Sequence, residues 1–489
     1  MKKTKKNSIP VKKFFITLGF TLLVIYIGTF IHHQVKDLPE ELNYESAAFS
    51  LYDEDVTFLR DITINSEEEG QILKQEIFDA FQNVIQNAET FIVLDMFMFT
   101  DLGSGEGDFP PISRDLMLTL LNQMELYPDL NVWIISDHIN TSYGSHEAAR
   151  IRPLEEKGAT VVYADLAPLQ DPLPIYSSFY RMFLQWFEVG GEGWITNFFG
   201  EDEPKVSLSS YAKMLNTKGN HRKVLITEKE GIYTSANAHD PSGYHSNIGV
   251  RIEGPLLEAL LEGERRVVNY TLGHDKDFPT PDQLMFREKN RENKLNGKIV
   301  TEGKVFHETI DMITDAKEGE ALWLGMYLLS EGKVVNALEE ASERGVAVRI
   351  ILDPNQTSFG SEKPGIPNVA VTHRMNPDEQ ENLDIRWYNI DEEQYHSKIL
   401  FRKGEESKVL LGSTNFTNRS FSENNLENNI LIWGPEDTDF IKEVEEYFER
   451  LWENRDYEYT LDFEYYQDEL SWFRRIGFRI QKILRLTTF

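Results

Sequence analysis

The sequence predicts an α/β fold made of two related, layered halves that follow one apolar helix. Three observations predict this fold. Helical and strand patterns alternate along most of the chain, one arrangement of residues occurs twice, and residues 14–31 contain no charge. Alternating helices and short apolar strands are typical of layered α/β domains. A length of 489 residues leaves room for two such halves.

The composition narrows the class of protein. The chain has 81 acidic and 50 basic side chains, a net charge of −31. This charge argues against a nucleic-acid partner, because a phosphate backbone attracts basic surfaces. The sequence contains no cysteine, which excludes disulfides and thiolate metal sites.

The apolar stretch at residues 14–31 is 18 residues long and follows six lysines. That length just spans a bilayer, and the lysines favour a cytoplasmic N-terminus. The alternatives are a buried core helix and a cleaved signal peptide, but residues 31–34 offer no small-residue cleavage site. We expect a cytoplasmic tail at 1–13, a transmembrane anchor at 14–31 in the cell membrane, and an extracytoplasmic remainder.

The rest of the chain divides by composition and periodicity. Residues 32–65 are polar and acidic, and we expect a tether there. A first domain at 66–265 and a second at 301–455 are separated by a polar linker at 266–300. The expected elements are helices at 71–87 and 114–126 and strands at 91–99 and 132–136 in the first domain, and helices at 302–316 and 333–344 and strands at 321–329 and 346–352 in the second.

An internal repeat supports the two halves. Asp137 and Asp353 each end an apolar strand, and each is followed four residues later by Thr-Ser-aromatic-Gly-Ser. The first half is about 40 residues longer beyond this point, and we place the insertion at 165–206. Its aromatic side chains, which include Phe183 and Trp186, are expected to meet the bilayer or acyl chains, or else to form core.

The C-terminal segment at 456–489 ends in a basic amphipathic pattern over residues 471–485. Its apolar residues share one helical face and its cations lie largely elsewhere, which suits an anionic lipid surface. A terminal helix packed on the second domain is the alternative.

Two hairpins carry the candidate chemistry. His396-Ser-Lys398 precedes an apolar strand, and Gly412-Ser413-Thr414-Asn415 ends the next one. His221-Arg-Lys223 and Thr234-Ser235-Ala-Asn237 repeat the arrangement. Side chains two apart on a strand share a face. An imidazole, an ammonium and a carboxamide on one surface could bind and transfer a phosphate diester.

These motifs resemble the duplicated signature of the phospholipase D superfamily, and most closely its bacterial cardiolipin synthase-like members. The resemblance implies two pseudo-twofold-related α-β-α sandwich domains that share one site. It implies a phosphohistidine mechanism that needs no metal and no cofactor. The implied residues are His221, Lys223, His396 and Lys398 as catalytic groups, Asn237, Asn415 and Ser413 as phosphate-binding groups, and Glu427, Asn247 and Ser235 as supporting groups. We expect His239 and His245 to be solvated or hydrogen-bonded rather than metal ligands.

The sequence departs from the family pattern in three ways. Glu228 and Lys403 stand where the family has an Asp five residues after the Lys, and Thr234 replaces the turn Gly. Glu427 lies 12 residues beyond Asn415, and the same count from Asn237 ends at Gly249. By this count Asn247 matches Asn425, His221 lacks a carboxylate, and Glu427 supports His396 as the better base. The sequence leaves open which His is the nucleophile.

The resemblance implies a phosphatidyltransferase that acts on a phospholipid such as phosphatidylglycerol. The alternatives are a phospholipase D hydrolase that releases phosphatidic acid and a non-catalytic lipid-binding protein with a degenerate first motif. A nuclease is disfavoured by the charge and the anchor. The membrane is the expected partner, no nucleic acid is expected, and the acceptor alcohol and oligomeric state are not predicted.

Overall fold

The computed structural model describes residues 11–466 except for 67, 105, 106, 108, 188–192, 202, 217, 287–293, 359, 360, 363, 364 and 376. The basic pattern predicted at 471–485 and the lysines before residue 11 lie outside the described residues.

The helices are α1 Val11–Val35, α2 Ile77–Gln86, α3 Ile112–Leu126, α4 Arg152–Lys157, α5 Pro174–Phe179, α6 Leu208–Met214, α7 Leu257–Leu272, α8 Gly303–Thr314, α9 Gly332–Glu343, α10 Asn368–Met375, α11 Asn418–Phe421 and α12 Asp439–Glu453. The strands are β1 Phe49–Leu51, β2 Val56–Ser66, β3 Gly70–Lys74, β4 Phe91–Met96, β5 Phe99–Thr100, β6 Asn131–Ser136, β7 Thr160–Tyr163, β8 Gly219–Asn220, β9 Lys223–Thr227, β10 Gly231–Thr234, β11 Ala238–His239, β12 Asn247–Ile252, β13 Leu295–Thr301, β14 Ala321–Met326, β15 Ala347–Leu352, β16 Thr357–Ser358, β17 Ser361–Glu362, β18 Leu383–Tyr388, β19 Lys398–Lys403, β20 Ser407–Gly412, β21 Asn425–Leu426, β22 Asn428–Gly434 and β23 Thr460–Asp462.

Two large mixed sheets confirm the duplicated α/β fold. The first has the order β3-β2-β12-β10-β9-β4-β6-β7, and the second has β1-β13-β22-β20-β19-β14-β15-β18-β23. Seven strands correspond, from β2 to β7 in the first order and from β13 to β18 in the second. Corresponding neighbours also agree in direction: only the last two pairings of each series are parallel.

The hydrophobic cores explain the layering. Helices α7 and α12 lie between the sheets and share one core with the inner faces of both. The outer face of the first sheet packs on α2 and α3, and that of the second packs on α8 and α9. In β4, Phe91 and Val93 face the shared core while Ile92 and Leu94 face the outer one. This strand is buried on both faces, as its continuous apolar run predicts.

The predicted tether and linker are wrong in part. Residues 56–66 form β2 inside the first sheet, because Phe58, Ile62 and Ile64 alternate toward the core. Strand β1 pairs with β13 of the second sheet. The supposed linker at 266–300 includes the end of α7 and most of β13, so the domain boundaries at 265 and 301 cut through regular elements.

The predicted C-terminal boundary at 455 also needs correction. Residues 460–462 form β23, which pairs with β18 at the edge of the second sheet. The side chains of Phe463 and Tyr466 are buried against Trp387. The second domain therefore continues to at least residue 466.

The insertion at 165–206 contains α5 and a π-helical turn, Tyr180–Leu184. Most of its aromatic side chains are exposed rather than core: Phe179, Phe183, Trp186, Phe187 and Trp194. Tyr176, Tyr180 and Phe198 are half-buried, and Phe199 is buried against Met98 and Ile139.

Helix α1 is long and apolar enough to cross a membrane, and none of its residues is buried in the protein. An exposed apolar helix of this length fits the predicted anchor better than a core helix. Its last turns contact α5 of the insertion.

Candidate active site

The two His-x-Lys segments lie at corresponding places in the two sheets. Lys223 begins β9 and Lys398 begins β19, and these strands pair with the central strands β4 and β14. Each His stands two residues earlier, just outside the strand. Asn237 and Asn415 follow the neighbouring strands β10 and β20. His221 and Lys223 therefore lie at one end of the strands of the first sheet. His396 and Lys398 lie at the corresponding end of the strands of the second sheet.

The segments are hydrogen-bonded across the two halves. Strand β8, next to His221, pairs in parallel with β21 of the second half. The N–H of His221 donates to the carbonyl of Leu426 at 2.8 Å. In the same way, the N–H of His396 donates to the carbonyl of Ser246 at 2.8 Å. Each imidazole is therefore placed by a backbone segment from the other half.

The side-chain support of the imidazoles is also crossed. His221 Nδ1 is 2.9 Å from a carboxylate oxygen of Glu427, and His396 Nδ1 is 3.1 Å from the carboxamide oxygen of Asn247. Because both partners are acceptors, the proton of each neutral ring is assigned to Nδ1. This leaves the Nε2 lone pair of both rings available for reaction.

The sequence alignment of the supporting residues was therefore wrong by two positions. Gly249 pairs with Thr234, and Asn429 pairs with Gly412, so Gly249 corresponds to Asn429. Asn247 then corresponds to Glu427. The loop after Asn237 is two residues shorter than the loop after Asn415, which equal counting could not detect. His221, not His396, has the carboxylate.

The same pairing explains why Thr234 can replace the turn glycine. A Cβ on Gly412 would lie 2.3 Å from the carbonyl oxygen of Asn428, so only glycine fits there. In the first half the crowded position is on the partner strand instead: a Cβ on Gly249 would lie 2.9 Å from the carbonyl oxygen of Tyr233 and 3.2 Å from the side chain of Thr234. One residue of each pair must be glycine. It is Gly249 in the pair with Thr234 and Gly412 in the pair with Asn429.

The serines of the two turns support the groups that hold the imidazoles. Ser413 donates to Glu427 at 2.6 Å, and Ser235 donates to Asn247 at 3.4 Å. Both serines are fully buried. This agrees with the role expected for Ser235. It corrects the role expected for Ser413, whose hydroxyl is committed to Glu427 rather than offered to a phosphate.

The lysines repeat one local geometry. Lys223 Nζ donates to the carbonyl of His221 at 2.6 Å, and Lys398 Nζ donates to that of His396 at 2.7 Å. Each ammonium lies 5.1 Å from the centre of an aromatic ring, that of Phe97 or Tyr327. The same rings lie 5.0 Å from the rings of His221 and His396.

Sequence reasoning missed Phe97 and Tyr327. Each is the first residue after its central strand, β4 or β14, so the repeat itself contained the signal. A ring against each His and Lys restricts their rotation and excludes water from one side.

Asn237 and Asn415 are buried, and neither carboxamide oxygen has a hydrogen-bond partner among the described residues. Buried polar groups are normally paired, and an unpaired one commonly marks a position where a ligand binds. An unpaired carboxamide oxygen can accept a hydrogen bond only from a donor, such as a hydroxyl group. The expected binding of phosphate oxygens would use the Nδ2 groups of these asparagines and stays a prediction.

Burial controls the protonation of the site. It lowers the pKa of His221 to about 4 and that of His396 well below its ordinary value, where Lys398 adds to the effect. It also lowers the pKa of Lys223 to about 7 and that of Lys398 well below the usual range, the latter helped by the charge of Lys223. Lysines of opposite halves therefore repel each other in one enclosed site.

The repeated aspartates hold the strands that carry the imidazoles. Asp137 accepts the N–H of Asn220 at 2.7 Å, and Asp353 accepts that of Tyr395 at 2.7 Å. Asn220 and Tyr395 directly precede His221 and His396. Both carboxyls are buried, and burial raises their pKa to about 6 for Asp137 and about 7 for Asp353. The sequence repeat identified these residues but not what they do.

Glu228 has a structural role. Its buried carboxylate accepts the N–H groups of Glu89, at 2.8 Å, and Phe91, at 3.4 Å, where the chain enters β4. Lys403, at the corresponding position of the second half, forms an ion pair with Glu445 instead. Neither residue contacts the imidazoles, so these departures leave the site intact.

A buried ion cluster joins the halves beneath the first motif. Arg222, the middle residue of His221-Arg-Lys223, bonds Glu302 at 2.6 Å and lies 3.5 Å from Glu264. Sequence reasoning gave this arginine no role. These ion pairs attach the first motif to α7, through Glu264, and to the residue between β13 and α8, Glu302.

A third imidazole, that of His245, lies beside His396. The His245 ring lies 6.0 Å from that of His396, and its Nδ1 accepts the N–H of Gln394 at 3.2 Å. His245 is thus hydrogen-bonded, as expected, while His239 is bound to the carbonyl of Leu102. Among the described residues, no group of His, Asp and Glu side chains could hold a metal ion.

Comparisons with known proteins support the fold. Residues 309–452 match the family model described as "Cardiolipin synthase, PLD-like domain". These residues include His396, Lys398, Asn415 and Glu427. No curated protein matches the sequence.

Three solved structures are similar to this chain to different extents. Phosphatidylserine synthase from Haemophilus influenzae Rd KW20 is 12% identical, with a TM-score of 0.55 over 94% of this chain and 97% of that one. Polyphosphate kinase from Porphyromonas gingivalis is 12% identical, with a TM-score of 0.41 over 81% and 47%. Nuc from Salmonella typhimurium, a phospholipase D family member, is 20% identical, with a TM-score of 0.27 over 35% and 99%. Residues 309–452 therefore form a PLD-like domain, and the chain shares the fold of this phosphatidylserine synthase along almost its whole length.

Proposed function

We propose that this protein is a membrane-anchored phosphatidyltransferase that moves a phosphatidyl group from one phospholipid to another lipid alcohol. Phosphatidylglycerol is the proposed donor and acceptor, with cardiolipin and glycerol as the products. The observation that carries the proposal is the crossed pair of imidazoles. Each is held by the other half, and both have Nε2 free for chemistry.

His221 is the proposed nucleophile. Its Nε2 attacks phosphorus, and the bond from phosphorus to the departing glycerol oxygen breaks. The ring gains positive charge in this step, and the carboxylate of Glu427 at Nδ1 stabilises that charge. The neutral carboxamide of Asn247 gives His396 no such help, which makes His396 the better proton donor.

His396 moves the protons. In the first step its Nε2–H protonates the departing alkoxide, and a phosphatidyl group remains on His221. In the second step it takes the proton of the incoming lipid hydroxyl, whose oxygen attacks phosphorus while the bond from phosphorus to His221 breaks. Lys223 and Lys398, with Asn237 and Asn415, are proposed to hold the equatorial oxygens.

The bound substrate supplies the charge that this cycle requires. In the free site both imidazoles are neutral at pH 7, because burial lowers the pKa of each. A diester anion beside them raises the pKa of His396 and favours the protonated acid. Proton uptake should therefore accompany substrate binding.

The proposed location follows from α1 and the insertion. We propose that α1 anchors the protein in the cell membrane with its N-terminus in the cytoplasm and the catalytic halves outside. The lysines before it support this orientation. The exposed aromatic side chains of the insertion, such as Trp186 and Phe187, support a lipid rather than a soluble diester as substrate.

Thin-layer analysis of lipid products tests the proposal. The full-length protein is incubated with phosphatidylglycerol vesicles, beside His221→Ala and His396→Ala controls. Cardiolipin from the wild type and none from either control is the expected result. Phosphatidic acid alone would instead identify a hydrolase, in which water resolves the intermediate. An unchanged lipid pattern would reject the enzymatic proposal.

A further inference from the structure

The structure contains an apolar cleft between α1 and the insertion. Its volume is about 390 Å³, which lies within the range of roughly 300–1,000 Å³ typical of small-molecule sites. The lining side chains are all apolar or aromatic: Tyr26, Leu173, Ile175, Tyr176 and Phe179. Both tyrosine hydroxyls are occupied, that of Tyr26 by the carbonyl of Ile175 and that of Tyr176 by the carbonyl of Ala212. The cleft therefore offers hydrocarbon contact.

One wall of the cleft is the candidate membrane helix itself. Tyr26 lies within α1, and most of the α1 surface over residues 14–31 is exposed and apolar. Beside the cleft, Ile175 and Phe179 are each 47% exposed, and Trp186 is 73% exposed. An apolar surface that continues from a membrane-spanning helix onto a neighbouring domain is suited to the hydrocarbon of the bilayer rather than to water.

The helix is fixed to the insertion rather than merely adjacent to it. The N–H of Asp171 donates to the carbonyl of His33, and the side chain of Gln34 donates to the carbonyl of Asp171. Lys36 donates to the carbonyl of Ala167 at 2.7 Å. The end of α1 thus has a defined position relative to the cleft.

The same segment is attached to the active site. The buried carboxylate of Asp171 pairs with Lys218 at 2.8 Å. Lys218 is three residues before His221, so their Cα atoms are at most about 11 Å apart. The N–H of Gln170 also donates to the carbonyl of Glu423, at the start of the segment that supports His221. One short stretch therefore connects the membrane helix, the cleft and the nucleophile.

From this arrangement we infer that the cleft holds an acyl chain of the phospholipid whose phosphate is bound between the imidazoles. This inference rests on the proposed function and adds to it: the substrate is a long-chain lipid that keeps its hydrocarbon along α1 while its head group reacts. The cleft then contributes binding energy for long chains that a soluble diester cannot use.

Charged substitutions in the cleft test the inference. Ile175→Glu and Phe179→Glu place a carboxylate in the cleft. Leu118→Glu is the matched control, because Leu118 is 43% exposed on α3 and does not line the cleft. Turnover is compared on dioleoyl phosphatidylglycerol in vesicles and on monomeric dihexanoyl phosphatidylglycerol. For the cleft variants, kcat/KM on the long-chain lipid should fall about tenfold, as for the loss of about two buried methylene groups.

On the short-chain lipid all variants should remain within about twofold of the wild type. Equal losses on both lipids, no loss on either, or the same long-chain loss in Leu118→Glu would overturn the inference. A wild type inactive on both lipids would reject the proposed function instead. Photocrosslinking would then decide about the cleft, using phosphatidylglycerol with a diazirine in mid-chain. Adducts on residues 173–179 support the cleft, and adducts confined to the rest of α1, or none, exclude it.

Discussion

Replacing Glu427 by Gln tests the crossed support of the imidazoles. Glu427 accepts hydrogen bonds from His221 at 2.9 Å, Ser413 at 2.6 Å and Asn425 at 3.2 Å. Burial alone would raise the pKa of Glu427, but the hydrogen bonds from His221 and Ser413 and the charge of Lys223 hold the pKa below the ordinary value. Glu427→Gln keeps the shape and removes the charge.

The structure suggests the size of the effect. A hydrogen bond to a buried charged group contributes about 1.5–3 kcal/mol, against about 0.5–1.5 kcal/mol for a neutral one. The loss grows in the transition state, where the ring of His221 becomes cationic. A glutamine can also donate to Nδ1 and so move the ring proton to Nε2, where it blocks attack. The corresponding Asp→Asn change in a serine protease lowers kcat by about 10⁴, and we expect a fall of about 10²–10⁴ here.

The assay combines turnover with a double-mutant cycle on stability. Glu427→Gln is measured alone, with His221→Ala and with His396→Ala, by chemical denaturation in detergent. The coupling with His221 should be about 1–2 kcal/mol, and that with His396 should stay below about 0.5 kcal/mol. The pairing inferred by counting residues along the sequence requires the reverse. Coupling to His396 alone would refute the crossed arrangement.

Three further results are expected. Because burial places the pKa of Lys223 at about 7, its cation is lost as pH rises, and kcat/KM should fall more steeply above pH ~7 than below it; Lys223→Arg should remove this extra slope, and a wild-type profile without a break near pH ~7 would contradict the assignment. Glu302→Gln removes the shorter of the two ion pairs of Arg222 and leaves Glu264 at 3.5 Å, so it should lower the free energy of unfolding by about 1.5–3 kcal/mol in a denaturation experiment; unchanged stability would argue against the ion cluster. Phe183→Ser and Trp186→Ser should reduce turnover of vesicle lipid and leave turnover of a soluble diester unchanged. Equal loss of turnover on both substrates would count against membrane contact.

Much of the fold was predictable because its signals are local. The continuous apolar run of β4, the repeated Asp137 and Asp353, and the two His-x-Lys segments all lie within short windows of sequence. The prediction was wrong where a strand lies in a segment of polar and acidic overall composition. In β2 the apolar residues Phe58, Ile62 and Ile64 alternate as in a strand, but the acidic residues around them favoured the prediction of a tether.

The candidate site was predictable only in its components. His221, Lys223, His396 and Lys398 could be found from the motifs. Their partners could not, because Glu427 supports an imidazole 206 residues away in the other half. Counting from the turn asparagines assumed two loops of equal length. The strand pairings beside the two turns show that the loop after Asn237 is two residues shorter than the loop after Asn415. Glu427 therefore supports His221 rather than His396.

We propose that the two halves form one active site with one nucleophile. This proposal is tested most directly by trapping the phosphoenzyme with phosphate-labelled phosphatidylglycerol in the wild type, His221→Ala and His396→Ala. A single acid-labile adduct on His221 is expected. It is absent from His221→Ala, and in His396→Ala it both forms and is resolved more slowly, because the second imidazole acts in both steps. No adduct in any of the three proteins, or adducts formed independently on both histidines, would contradict the proposal.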